Sequence, residues 1–480
     1  MKKSSAEISN HKIFSRSEDL PEGWVESPLK ELIIHVLGGE WGIDDSEIIP
    51  FEMDRVNIIR GTDFKFINDK NKLKTPTRII KKTSLGKRRL ISGDIILEIS
   101  GGAPDQPVGR TLLIDKKILE MAKNPLVCSN FCRQMRIHPD QDPKFVNLSL
   151  IYQYHNGNFD RFQTQSTNIR NLNFNDFSEE IIIPLPPLAE QQYIVARVED
   201  LLEHVNAARE RLSRVPLIMK KFREAVLAAA CSGRLTEGWR EENPDVESGS
   251  QLLERLSESR KKIKKIGKTF EDNTFFEKFP ELPTTWTWST IQQISERVTV
   301  GHVGPMKNEY RSDGIPFLRC QNVRENYFDA KGLVFISPQF HESLKKSALE
   351  PGDLVVVRSG NVGVCCIIPE SLTEANCSDL VVVKKPFGFV PKFGAYYINS
   401  LAQNWIDLGT VGIALSHFNT KSVATLPIPI PPLAEQYEIV RRVGLLFERA
   451  DAFDHEVAAA GRRCERLTQA VLGKAFAGKL

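Results

Sequence analysis

Two long stretches of the chain carry apolar residues at alternating steps of four and three, which is the spacing of a helix with one apolar face. The seam of the first stretch includes Ile194, Val198, Leu201, Val205, Leu212 and Phe222. The seam of the second stretch includes Ile439, Val443, Leu446, Phe453, Val457 and Leu467. A heptad pattern of this kind predicts two helices that pair as a coiled coil, either parallel or antiparallel.

Each stretch follows a pair of prolines, Pro186–Pro187 in the first case and Pro431–Pro432 in the second. Proline suits the start of a helix because its missing N–H group is not needed in the first turn. Pro216 lies inside the first stretch and Gly461 at the matching place in the second, and both are poor helix formers. We predict a kink at both places, with two half-helices as the alternative.

Outside these stretches the apolar residues occur in short runs bounded by glycine, proline and asparagine. Residues 94–99, 353–357 and 381–383 are examples. Such runs predict short β-strands. Residues 236–281 differ again: they are polar, with a charged and helix-prone segment at 251–265. We interpret them as a connector with one short helix.

The chain contains the same plan twice. Leu20–Trp24 returns as Leu282–Trp286, 262 residues further on. Pro186–Gln191 is repeated letter for letter as Pro431–Gln436, 245 residues further on, and that offset holds to Leu480. Because the matches keep their order while the offset only shrinks, we infer an internal duplication with loop insertions in the first copy.

Composition limits what the chain can be. It is 41% hydrophobic and 26% charged, and no run of eighteen apolar residues or secretory signal is present, so we expect a soluble, cytoplasmic protein. The eight cysteines form no CxxC motif and are expected to be reduced and mostly buried. A net charge of +3 is too small to indicate nucleic-acid binding alone, so any DNA affinity must come from local charge.

Catalytic motifs are not recognisable in the sequence. It contains no phosphate-binding loop, HExxH, GxSxG or glycine-rich cofactor turn. The segment Pro139–Lys144 offers Asp140 and Asp142 as nuclease-like carboxylates, but it is contiguous and has no counterpart in the second copy. We therefore expect no catalytic residue, metal site or cofactor in this chain.

Side chains that can recognise base edges are concentrated at 163–175 and 416–419, just before each Pro-Pro pair, and recur at matched positions elsewhere. The DNA-binding candidates are Arg60, Thr62, Arg89, Arg110, Gln165, Asn168, Arg170, Asn171, Arg319, Gln321, Asn322, Arg358, Asn361, His417 and Asn419. The alternative for these residues is a turn whose polar groups satisfy the backbone. Basic clusters at 81–82, 87–89 and 260–265 suit phosphate contact or a solvated surface equally.

The duplicated Pro-Pro-Leu-Ala-Glu-Gln and the endings Ala225–Leu235 and Ala470–Leu480 resemble the specificity subunits of type I restriction-modification enzymes. The resemblance extends from Leu20 to Leu480. It implies an α+β fold with two strand-rich target recognition domains, separated by two long helices that pair as an antiparallel coiled coil, in a pseudo-twofold internal repeat. The implied boundaries are a tail at 1–19, recognition domains at 20–185 and 282–430, helices at 186–235 and 431–480, and a connector at 236–281.

The resemblance also implies partners. Each recognition domain would bind one half of a bipartite site in double-stranded DNA. The helices would dock two modification subunits, which bind the methyl donor, and a restriction subunit would supply translocation and cleavage. An orphan specificity subunit, one from another restriction class, and a coiled-coil adaptor without sequence recognition are the alternatives. A magnesium-dependent nuclease using Asp140 and Asp142 is the enzymatic alternative.

Overall fold

The computed structural model describes residues 20–70, 73–101, 106–166, 169–261, 279–404 and 419–480. The backbone divides into two compact units. Unit 1 takes the described residues up to Ser213 together with Ala458–Leu480, and unit 2 is Arg214–Val457. Each unit therefore contains one strand-rich region and parts of both long helices.

The strand-rich region of unit 1 has thirteen strands among its described residues. They are β1 Val25–Pro28, β2 Ile33–Gly38, β3 Ile43–Asp44, β4 Met53–Ile59, β5 Thr77–Lys81, β6 Asp94–Glu98, β7 Ser100–Gly101, β8 Thr111–Leu113, β9 Leu126–Cys128, β10 Cys132–Ile137, β11 Gln163–Ser166, β12 Ile169–Leu172 and β13 Ile182–Leu185. The helices are α1 Leu29–Leu32, α2 Phe64–Lys70, α3 Lys82–Arg88, α4 Lys116–Met121, α5 Pro143–His155 and α6 Phe174–Glu180.

Four sheets organise these strands. Their orders are β1-β13, β2-β10-β6-β8, β3-β5-β4-β9 and β11-β12-β7. Neighbouring strands in these sheets are antiparallel except β4 and β9, which run parallel with Ile59 opposite Cys128. Short strands are what short apolar runs bounded by turn residues predict, and the parallel pair requires a longer crossover between its strands.

Two long helices follow the strand-rich regions. The first is α7, Leu188–Cys231, and it is followed by α8, Glu237–Glu242, and α9, Gly249–Lys261. The connector thus carries two described helices where the sequence predicted one. Residues 262–278 lie outside the described part of the chain.

The second strand-rich region lies in unit 2. Its strands are β14 Thr287–Thr290, β15 Ser295–Val300, β16 Tyr310–Arg311, β17 Ile315–Leu318, β18 Val323–Arg324, β19 Tyr327–Phe328, β20 Val334–Ile336, β21 Leu354–Val357, β22 Cys365–Ile367, β23 Asn376–Cys377, β24 Leu380–Pro386 and β25 Pro427–Ile430. Its helices are α10 Pro338–Ser343, α11 Pro391–Asn404 and α12 Thr420–Ala424, before the long α13 Leu433–Phe476.

The duplication extends to strand registers. Sheets β14-β25, β15-β24-β21-β22 and β16-β20-β17-β23 repeat three sheets of unit 1 in the same order. Their parallel pair, β17 with β23, sets Leu318 opposite Cys377, the positions equivalent to Ile59 and Cys128. A register shift of one residue would reverse the face of every side chain, so this agreement confirms the internal repeat.

Each unit buries its core between a sheet, a helix of the strand-rich region and both long helices. In unit 1, Phe145 of α5 meets Phe476 of α13 edge to face at 5.3 Å, in a cluster that also takes Ile194 and Val198 from α7. In unit 2 the matching cluster takes Leu227 of α7 with residues of α11 and α13. The start of α7 therefore shares a core with the end of α13, and the end of α7 with the start of α13. The helices are antiparallel.

The buried stripe of the long helices departs from the predicted seam. Ile194, Val198, Ile439 and Val443 are buried, and Leu201, Val205, Leu212, Leu446 and Val457 are half-buried. Phe222, Phe453 and Leu467 are 38%, 51% and 53% exposed, so the predicted seam is wrong at these positions. The least exposed positions advance from 219 to 223, 226 and 230 instead. From Ile194 to Ala230 the stripe advances by ten steps of three or four residues over 36 residues. This gives an average of 3.6 residues per turn, the period of a straight helix, whereas a strict heptad repeat has 3.5.

Pro216 does not break α7, which stays helical from Leu188 to Cys231, and α13 is likewise continuous through Gly461. The alternative of two half-helices is therefore wrong. The boundary between the compact units nevertheless crosses α7 at Ser213/Arg214 and α13 at Val457/Ala458, close to these two residues.

Candidate DNA-recognition surfaces and the helix anchor

The predicted turns at Arg60 and Arg319 are the same structure in both copies. Each opens a 3-10 turn, and the side chain three residues later accepts a hydrogen bond from the arginine N–H: Asp63 Oδ2 at 2.9 Å and Asn322 Oδ1 at 3.0 Å. The Arg60 guanidinium is paired with Asp63 at 2.8 Å, which raises the pKa of Arg60. Arg60 and Arg319 therefore have a structural role in the turn.

The remaining members of the second turn are also engaged. Arg319 Nη2 and Gln321 Nε2 both donate to the carbonyl of Gly332, at 2.7 and 3.2 Å. Asn322 is fully buried and donates to the carbonyls of Asp329 and Lys331. Its amide is thus used inside the protein, so base contact by Asn322 does not fit this structure. Thr62, in contrast, is exposed.

Arg110 is held by a buried carboxylate. Its Nε and Nη2 atoms donate to the two oxygens of Glu98 at 2.8 and 2.6 Å, and this bidentate pair raises the pKa of Arg110. Glu98 is 3% exposed and lies against Gly61, where any Cβ would clash with its carboxylate. Arg110 also lines a cavity of about 410 Å³ with Phe64, Lys65, Gln106, Thr111, Ile151 and Tyr154. Its guanidinium is therefore fixed in one orientation.

The hairpin β11–β12 carries the densest group of candidates. Gln165 stands opposite Arg170, so the two side chains share one face of the ribbon. Gln165 is exposed, and Arg170 is half-buried. Asn171 accepts a hydrogen bond from Ser100 of β7 at 2.6 Å, which joins the hairpin to the third strand of the sheet. Asn168 lies outside the described residues.

The other candidates are scattered over both units. Arg89 and Asn361 are exposed, and Arg358 pairs with Asp379 at 3.1 Å. Asn419 caps α12 by accepting from the N–H of Ser422 at 2.9 Å, which accounts for its residue type. His417 lies outside the described residues.

Asp142, proposed as a nuclease carboxylate, is the N-cap of α5. Its side chain accepts from the N–H groups of Lys144 and Phe145. Asp140 is exposed beside His138. Within the described ranges, no group of three histidine, cysteine or acidic side chains is placed to hold a metal ion.

The duplicated sequence motifs form an anchor at the start of each long helix, which sequence analysis missed. Trp24 Nε1 donates to Glu190 at 3.1 Å, and Trp286 Nε1 donates to Glu435 at 2.9 Å. These are the tryptophan of Leu-Pro-x-x-Trp and the glutamate of Pro-Pro-Leu-Ala-Glu-Gln. The recurrence of both motifs in both copies was the signal that could have revealed the pair.

The glutamine of the same motif closes the anchor. Gln191 Nε2 donates to the carbonyl of Pro186 at 2.9 Å, and its oxygen accepts from the N–H of Asp142, the cap of α5. Gln436 bonds likewise to Pro431 and to the N–H of Val390, just before α11. Each glutamine therefore joins the first turn of a long helix to a helix of the strand-rich region in the same unit.

The duplicated Gly-Asp motif has the same structural role in both copies. Asp94 and Asp353 are fully buried, and each accepts from the N–H three residues before it at 2.8 Å. Arg136 pairs with Asp94 at 2.7 Å, which raises the pKa of Arg136. Lys384 pairs with Asp353 at 2.5 Å. A buried carboxylate needs such a cation, and the neighbouring strand supplies it in both copies.

Six of the eight cysteines are buried, and Cys231 and Cys320 are half-buried. All eight lie within the described residues, and none forms a disulfide. Burial raises the pKa of Cys366 to about 12, and burial also raises the pKa of Cys365 well above its ordinary value. Among the helices that the structure describes, none has the length and apolarity needed to cross a membrane.

Comparison with known proteins agrees with this architecture. The sequence profile of the type I restriction modification DNA specificity domain matches residues 51–215 and 283–451, once in each copy. The specificity subunit of the type I restriction enzyme EcoKI of Escherichia coli strain K12 is 26% identical over 96% of this chain and 90% of its own length. That of EcoBI from Escherichia coli is 29% identical over 66% of this chain, and the match spans 62% of that relative.

Solved structures show the same fold. The HsdS subunit from Thermoanaerobacter tengcongensis matches with a TM-score of 0.52 and 19% identity, over 96% of this chain and 98% of that one. A chain from a type I restriction-modification system, studied for its complex assembly and conformational transition, matches with a TM-score of 0.62 and 19% identity, over 96% and 99%.

The chain is a duplicated α+β protein in which each unit has a strand-rich region anchored to two antiparallel helices. This is the architecture of the class of proteins that provide DNA specificity in type I systems. The chain belongs to the family of type I restriction-modification DNA specificity domains. Its function is that of the DNA specificity subunit of a type I restriction-modification system.

Proposed function

We propose that the chain recognises a bipartite DNA site, with one target recognition domain for each half-site, and docks two modification subunits through α7 and α13. The observation that carries this proposal is the duplication at the level of strand register: two domains of one design can each bind half of a divided site. The methyl donor is expected on the modification subunits, and a restriction subunit completes the complex in the cytoplasm.

The chain itself is proposed to be non-catalytic. Two findings support this role: Asp142 serves as a helix cap, and the buried acids Asp94 and Asp353 are each neutralised by a cation of the neighbouring strand. Recognition and positioning of the partners are then the tasks left to this subunit.

For the first domain, we propose that the hairpin β11–β12 enters the major groove of its half-site. A two-stranded ribbon fits that groove, and arginine and glutamine are side chains that form bidentate contacts with guanine and adenine. Gln165 and Arg170 stand side by side on one face of this ribbon, which supports their role in base contact.

The test uses the complete complex and measures DNA binding and methylation on oligonucleotides with single changes in one half-site. Arg170→Ala and Gln165→Ala are each expected to weaken binding about 10- to 100-fold and to relax the preference at one base pair. Arg161→Ala, which removes an exposed charge paired with Glu180, is the control and should keep the preference. Equal loss on every sequence would instead assign the hairpin to phosphate contact.

A further inference from the structure

The two anchors differ in what surrounds the glutamate. Glu435 is fully buried, and it accepts hydrogen bonds from Trp286, Thr236 Oγ1 at 2.6 Å and Arg240 Nη1 at 2.5 Å. Arg240 also lies over the Trp286 ring, 5.9 Å from its centroid. A segment of the chain, Thr236 with the helix α8, thus covers the second anchor and neutralises its acid.

Glu190 has the same position and the same tryptophan partner, but it is only half-buried. Among the residues that the structure describes, no cationic side chain pairs with it. The surrounding frame is otherwise matched: Gly478 lies against Pro21 as Gly233 lies against Pro283, and both glycines have positive φ, at 62° and 79°. Within the described ranges, the first anchor therefore has the same surrounding residues as the second but no covering segment.

A second residue that holds the covering segment in unit 2, an arginine, has an exposed equivalent in unit 1. Arg442 holds the start of the covering segment in unit 2 by donating to the carbonyl of Leu235 at 2.8 Å. Its equivalent, Arg197, is 50% exposed and pairs with Asp200 at 3.3 Å. In unit 1, Glu190 and Arg197 are therefore the side chains that could hold a covering segment, and both reach the surface.

We propose that Glu190 is a docking site for a helical segment of a partner subunit, which places an arginine on the carboxylate and over Trp24 as α8 does in the second copy. The partner is a modification subunit, so this inference rests on the assembly proposed above. Charge complementarity identifies the occupant: a half-buried carboxylate beside an indole ring gains most from a guanidinium, which can bond to the acid and stack on the ring.

The first test measures the affinity of the 480-residue chain for its modification subunits. Glu190→Gln keeps the shape and the hydrogen bond from Trp24 but removes the charge, so the Kd is expected to rise about tenfold. Glu120→Gln, an exposed acid on α4 and so outside both long helices, is the matched control and should leave the Kd within about twofold of the original. Unchanged assembly by Glu190→Gln would overturn the proposal.

The second test needs no partner. A copy of residues 236–243 is joined after Leu480, so that it follows Leu480 as the original follows the equivalent residue Leu235. This segment is expected to slow amide exchange around Trp24 by about tenfold and to compete with the modification subunits. The same segment with alanine in place of its arginine should do neither. Equal effects of both segments, or none, would overturn the docking site.

The two tests also separate the inference from the proposed function. If the unaltered chain fails to bind modification subunits, the proposed assembly is wrong, and the joined segment still decides whether Glu190 accepts an arginine. If deleting residues 2–17 removes the effect of Glu190→Gln, the occupant is this chain's own first segment, and the proposed partner contact is wrong.

Discussion

Arg240→Ala should loosen the second anchor and leave the first unchanged. Arg240 is the cation that pairs with the fully buried carboxylate of Glu435, and its side chain is 16% exposed. The substitution leaves a buried negative charge with only two neutral donors, Thr236 and Trp286. Burying a charge without a partner is costly because water no longer solvates it.

The magnitude follows from this geometry. Removing one member of a buried ion pair costs about 3–5 kcal/mol. Two hydrogen bonds remain and water reaches the partly exposed site, so we expect about 2–3 kcal/mol here. Since about 1.4 kcal/mol corresponds to a factor of ten, the local opening equilibrium should rise about 30- to 150-fold.

Amide hydrogen exchange measures that opening segment by segment. Faster exchange is expected at 234–242 and 286–291, whereas the equivalent segment 24–29 of unit 1 is the internal control. Adding Glu435→Gln to Arg240→Ala removes the uncompensated charge and should recover part of the loss. Equal acceleration in both units, or a further loss in the double variant, would refute the reasoning.

Three further predictions concern other parts of the fold. Hydrogen bonds from Arg441 and Arg442 lower the pKa of Glu438 from 4.5 to about 2, so Glu438→Gln should cost about 1–2 kcal/mol at neutral pH, and urea unfolding should show that difference vanish between pH 4.5 and 2. Phe453→Ala, at a 51% exposed position, should cost under about 1 kcal/mol, against about 1–3 kcal/mol for the buried Val443→Ala, when both are compared by urea unfolding. Thiol labelling of the native chain should leave Cys365 and Cys366 unmodified until unfolding, because burial holds their pKa values high.

Much of the architecture follows from sequence periodicity. The two long helices, their antiparallel pairing implied by the resemblance, and the repeat are all present in the structure, since a repeated apolar stripe admits few other arrangements. The prediction that Phe222, Phe453 and Leu467 lie in the apolar seam was wrong for a physical reason. A heptad pattern assumes 3.5 residues per turn, whereas these helices keep the straight-helix period and turn those side chains toward water.

The candidate sites were harder to predict because residue type does not reveal what a side chain already contacts. Asn419 and Asp142 are capping residues, Asn322 holds a turn, and Arg110 is bound to an acid on a neighbouring strand. Each has the chemistry for recognition and uses it within the fold. Whether the others contact bases stays a prediction.

The anchors show the opposite case, since their motifs were visible and their purpose was not. Trp24 and Glu190 are 166 residues apart in the sequence, and only the folded chain brings them within hydrogen-bond distance. A repeated motif indicates a shared constraint, but the partner that imposes it becomes evident only from contacts.

The central claim is that each strand-rich domain recognises one half of a divided DNA site. The most direct test replaces residues 282–430 with the same domain of a relative, expresses the chimaera with its complete system, and sequences the methylated sites of the host genome. We predict that one half of the methylated sequence changes and the other half stays the same. A change in both halves, or in neither, would contradict the account.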